Sequence, residues 1–125
     1  MNAVFAGLGM MLALSQPALR LSIAPWAGED LQTTSTAAAK YRLEVTGTPH
    51  AVVRLQAVGV ATGWLAAFCT PKYCSPQRVV DVLPASGVAI FQFELIRESK
   101  TAPRESGAIV TGADGVSVTV PTAYR

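Results

Sequence analysis

The strongest constraint on the fold is a hydrophobic period of two. Leu19, Leu21 and Ile23 alternate with Arg20 and Ser22, and Tyr41, Leu43 and Val45 with Arg42 and Glu44. Phe91, Phe93 and Leu95 alternate with Gln92 and Glu94, and Val116, Val118 and Val120 with Ser117 and Thr119. A strand turns successive side chains to opposite faces, so each run predicts a strand with one buried face and one polar face toward water. Weaker strand candidates lie at 52–58, 63–68, 78–83 and 108–111. Gly47-Thr48-Pro49, Pro84-Ala85-Ser86-Gly87 and Ala113-Asp114-Gly115 punctuate them with turn residues, the last in the manner of a hairpin.

Only 31–40 could support a helix. Thr34, Ser35 and Thr36 weigh against it, so 33–39 reads as a loop or a poorly ordered edge. With no repeat and no linker, 16–125 is expected to form one all-β domain. Its predicted architecture is a two-sheet antiparallel sandwich of about seven strands, as in immunoglobulin-like folds. Leu21, Ile23, Leu43, Val45, Leu55, Phe91, Phe93, Leu95, Val118 and Val120 are the inward candidates.

Half of the 125 residues are hydrophobic and 14% are charged, which excludes a disordered chain. Ten basic and eight acidic residues leave a net charge of +2, too weak and mixed to point to nucleic acid.

The run Ala3 to Leu14 (AVFAGLGMMLAL) carries no charge. It is shorter than the roughly 20 residues a membrane-spanning helix needs and matches the apolar core of a secretory signal. Residues 1–15 are therefore read as a signal peptide, cleaved after Ser15 or, in second place, after Ala18. No Lys or Arg precedes the run; the alternative is a buried N-terminal helix or strand. Membrane contact is expected only through this segment, and the mature chain is placed in the periplasm, on the cell surface or outside the cell.

The one informative cluster is GWLAAFCTPKYCSP, which holds Trp64, Cys69, Tyr73 and Cys74. In an exported chain, two cysteines with four residues between them predict a disulfide that fixes the turn between two strands. Closing so small a loop is worth about 2 kcal/mol in the chain-entropy description. Trp64 is expected beside that link or at the sandwich edge. A redox pair usually takes the form C-x-x-C at a helix start, which this spacing and Pro71 and Pro76 oppose. Zinc needs about four ligands, and Cys69, Cys74 and His50 fall short. A blue-copper site needs two histidines where the chain has one. His50 reads as a solvated turn residue. Glu94, Glu98 and Glu105 could supply a carboxylate pair, but Glu98 and Glu105 belong to a mixed charge run that reads as a solvated loop. No catalytic residue, metal or cofactor is expected.

The stretch from Lys40 to Val120 resembles small secreted bacterial immunoglobulin-like (fibronectin-III-like) β-sandwiches. The residues that carry the likeness are Gly63-Trp64 leading into Cys69, Cys74 and Pro76, then the Pro84 to Gly87 turn before Phe91. Antibody-type domains join distant cysteines across two sheets, unlike Cys69 and Cys74. The resemblance implies a module that binds, spaces or assembles. The first functional expectation is thus an exported non-catalytic module acting by binding, adhesion or structural assembly at the cell envelope, with a protein partner or its own copies. A filament or pilus subunit that exchanges its terminal strands is the first alternative. A thiol–disulfide redox protein using Cys69 and Cys74 is the second.

Overall fold

A computed structural model describes residues 19–32 and 36–125. The signal-like segment lies outside the described residues. The described residues form nine strands: β1 (Arg20–Pro25), β2 (Ala38–Thr46), β3 (Val52–Val58), β4 (Trp64–Cys69), β5 (Cys74–Pro76), β6 (Arg78–Val82), β7 (Val88–Arg97), β8 (Glu105–Gly112) and β9 (Ser117–Tyr124). They build two antiparallel sheets, one ordered β1-β2-β7-β4-β5 and the other β6-β3-β8-β9. The all-β, two-sheet expectation holds. The number of strands exceeds the expected seven by two, and one of these arises because the chain after Cys74 is split between the sheets.

That split occurs at Gln77. Its N–H donates to Ala66 O of β4 (2.8 Å) and its carbonyl accepts from Ala57 N–H of β3 (2.9 Å), one bond to each sheet. The residue adopts φ 68° to make the step, a left-handed conformation uncommon for a side chain other than glycine.

The core lies between the sheets. From the five-stranded sheet come Leu43, Val45, Phe68, Phe91, Phe93 and Leu95; from the other come Val53, Leu55, Val79, Val110 and Val120. Phe68 meets Phe93 edge-on at 5.0 Å and Phe91 at 6.3 Å, contacts worth about 0.5–1.5 kcal/mol each beyond the area they bury. Tyr41 Oη donates to Pro121 O of β9 (2.7 Å), tying the sheets together at a buried polar tip. Among the expected inward residues, Leu21, Ile23 and Val118 are only half-buried. They sit on β1 and β9, which flank their sheets and, among the described residues, have a strand neighbour on one side alone.

Three turns position the strands. In Pro84 to Gly87, Gly87 N–H donates to Pro84 O (2.9 Å) at φ 74°. A Cβ there would stand 2.6 Å from Gly47 O, so backbone approaches backbone. Gly115 (φ 89°) closes the β8–β9 hairpin as the Asp-Gly signal predicts. His50 takes φ 66° in an exposed turn.

Two expectations need correction. Ala38 and Ala39 belong to β2 and are buried, because they pair with Ile96 and Leu95 of β7; the expected loop ends earlier than predicted. Gln92 and Glu94, expected to face water, are 0% and 1% exposed. Residues 26–32 cover them. This segment leaves β1 and crosses the outer face of the five-stranded sheet, from β2 over β7 to the end of β4.

Candidate functional site

The β4–β5 hairpin is built by its own turn chemistry. Pro71 fixes φ at the second position of the turn, and Thr70 Oγ1 accepts from Lys72 N–H (3.1 Å) and Tyr73 N–H (3.2 Å). Thr70 N–H donates to Tyr73 O (2.7 Å). The next residues outward, Cys69 and Cys74, therefore face each other across the ladder with Cα atoms 4.0 Å apart, and a disulfide joins them. Neither sulfur is free to ligate a metal. Such a link fits an oxidising compartment.

The two sulfurs have different surroundings. Cys74 is exposed, while Cys69 is 0% exposed. Cys69 stands opposite Gln92, and Ala67, two residues back, stands opposite Glu94. Cys69 and Glu94 thus share the outer face of the sheet, and Cys69 Sγ lies 3.5 Å from Glu94 Oε2. A disulfide sulfur has no hydrogen to give, so this is a contact between sulfur and carboxyl oxygen rather than a hydrogen bond.

The polar atoms around this contact form a chain. Gln92 Nε2 donates to Glu94 Oε2 (2.7 Å), and Gln92 Oε1 accepts from Leu31 N–H (2.7 Å). Gln32 Nε2 donates to Thr70 O (2.9 Å), fastening the covering segment to the disulfide hairpin. On the other side, Lys40 of β2 stands opposite Glu94 and pairs with Asp30. Burial raises the Glu94 pKa above its ordinary value; the Gln92 hydrogen bond and the Lys40 charge oppose this, and Asp30 adds to it. The arrangement can hold a proton beside a sulfur atom. Tyr73, at the hairpin tip, donates through Oη to Asp81 Oδ2 of β6 (2.8 Å). Desolvation and this carboxylate together push its pKa up to about 12.

The other sequence candidates are scattered. Trp64 is not beside the disulfide: it is buried at the opposite end of β4, where Nε1 donates to Pro103 O (2.7 Å). Glu98 and Glu105 are exposed, unlike Glu94, and His50 lies in its exposed turn. Gln92 is not among the sequence candidates, and Glu94 is there only as one member of a possible carboxylate pair. Their polar character within an apolar strand is visible in the sequence, but the segment that covers them is not.

A second surface lies on the outer face of the four-stranded sheet. Val52 and Val82 stand opposite each other on β3 and β6, and Val80 stands opposite Arg54. These valines are 52%, 53% and 57% exposed. Arg54, Gln56, Arg78 and Thr111 line a shallow depression next to them.

No protein family matches the chain, and no curated protein does either. Among solved structures it is similar to the crystal structure of a FixG-related protein from Vibrio parahaemolyticus, with a TM-score of 0.51 and 12% identity. The likeness covers 86% of this chain and 95% of that one, and at such identity it concerns the fold alone.

Proposed function

We propose that this chain is an exported, immunoglobulin-like module that works without catalysis, by binding, adhesion or structural assembly at the cell envelope. The observation that carries this reading is the valine surface on β3 and β6. Val52, Val80 and Val82 are each more than half exposed on neighbouring strands, with Arg54 and Arg78 beside them. An apolar cluster rimmed by arginines has the composition of a protein-binding surface. The strand order β1-β2-β7-β4 opposite β3-β8-β9 supports the immunoglobulin-like assignment, since it follows the ABED and CFG arrangement of that fold. The Cys69–Cys74 disulfide and the signal-like run Ala3 to Leu14 support export.

The test is site-specific photo-crosslinking in the producing cells, with the probe at Val80 or, as control, at Thr119 on β9. A discrete protein adduct from position 80 and none from 119 is expected. Equal diffuse labelling, or no adduct from either position, overturns the reading.

A second reading draws on the terminal strands. β1 and β9 each flank a sheet and pair with one neighbour, β2 and β8 respectively. Exchange of such a strand between copies would build a filament. A strict monomer at high concentration in size-exclusion chromatography contradicts it.

A further inference from the structure

We propose that the Cys69–Cys74 disulfide is a thiol-exchange site, opened by a dithiol at Cys74, the exposed residue of the pair, with Glu94 carrying the proton to and from Cys69.

The asymmetry of the link sets the direction of attack. An incoming thiolate can reach Cys74, which is exposed, but not Cys69, which is fully buried. Attack at Cys74 makes Cys69 the leaving group. Exchange slows as the leaving thiol's pKa rises, and burial without a counter-charge raises it. A bare thiolate formed at Cys69 would thus be a poor leaving group. The nearest acid to that sulfur is Glu94, whose Oε2 is 3.5 Å away.

Glu94 is held for this task from several sides. Its own strand supplies the Gln92 amide, which donates to Oε2. β2 supplies Lys40, opposite Glu94 in the ladder, and the covering segment supplies Asp30, paired with Lys40. β4 supplies Cys69. Arg42, the remaining nearby cation of β2, is directed to Glu44 (2.7 Å). Burial favours the protonated carboxyl before exchange, and Lys40 offsets the charge that appears on it afterwards.

One thiolate of the dithiol attacks Cys74 Sγ and forms a mixed disulfide. The Cys69–Cys74 bond breaks, its electron pair goes to Cys69 Sγ, and the Glu94 proton passes to that sulfur, leaving a carboxylate. The second thiolate of the dithiol then attacks the first sulfur of the same molecule. This releases the oxidised dithiol as a disulfide and Cys74 as a thiolate, which takes a proton from solvent. Two electrons move from the dithiol to the cysteine pair, and Glu94 regains its proton from water.

The test measures the rate of reduction of the full chain by dithiothreitol and, separately, by a reduced dithiol oxidoreductase, normalised to the thiolate present at each pH. In the wild type the normalised rate should fall as pH rises through the Glu94 titration. Glu94→Gln should be at least tenfold slower at low pH and lack that fall. Glu94→Asp should restore the fall at a shifted midpoint; if Glu94→Gln does not fold, this shift is the deciding readout. A markedly faster normalised rate with the oxidoreductase assigns a protein dithiol as the reductant, and equal rates assign small dithiols. Normalised profiles that are flat in the wild type, or unchanged in both variants, overturn the proposal.

Discussion

The backbone N–H of Leu31 donates to the side-chain oxygen of Gln92 at 2.7 Å, across 61 positions of sequence. This bond converts a strand face that would meet water into an interior. Gln92 also donates to Glu94, so one amide satisfies both the covering segment and the carboxyl beneath it. Gln92→Leu leaves the Leu31 N–H and the Glu94 oxygen without that partner. A loss of about 1–3 kcal/mol is expected for the unsatisfied groups, measured by denaturant unfolding. Hydrogen exchange at the Leu31 amide should accelerate in the same variant.

Glu94 also gives stability a pH dependence. Its folded-state pKa is raised by burial, so the folded chain binds more protons than the unfolded chain between the two pKa values. The contribution is fully present below the unfolded value and is lost as pH rises through the folded one. Wild-type unfolding curves should therefore show falling stability over that window relative to Glu94→Gln, which has no proton to release.

Tyr73 behaves similarly at the alkaline end. With its pKa pushed up to about 12 by desolvation and Asp81, the phenol should resist ionisation well above the ordinary 10.0. Absorbance titration of tyrosinate should place Tyr73 near that value. Asp81→Asn should move it down, since the neutral amide removes the repelling charge.

Gly87 is expected to tolerate no side chain. Gly87→Ala combines a positive φ with a Cβ 2.6 Å from Gly47 O, so the backbone itself must shift. A cost of about 1–3 kcal/mol is expected from the conformation alone, readable as a lowered denaturation midpoint with an unchanged slope.

The sandwich was legible because period-two alternation is a local signal. The runs around Leu43, Phe91 and Val120 show it without help from the rest of the chain. Strand β5 was not legible, since Cys74-Ser75-Pro76 carries no alternation and is fixed as a strand by pairing with β4. The disulfide could be read from spacing and context. The Glu94 contact could not, because it depends on the register between β4 and β7 and on a segment about 60 residues away that covers the sheet. Polar residues in an alternating strand look the same whether water or another segment lies over them.

The most direct measurement is the titration of the Glu94 side-chain carboxyl followed by carbon-13 NMR in the oxidised protein. A midpoint above the ordinary 4.5, shifting when Cys69 and Cys74 are reduced, is the predicted result. A midpoint at or below that value, indifferent to the state of the cysteines, would contradict a buried carboxyl seated against the Cys69 sulfur.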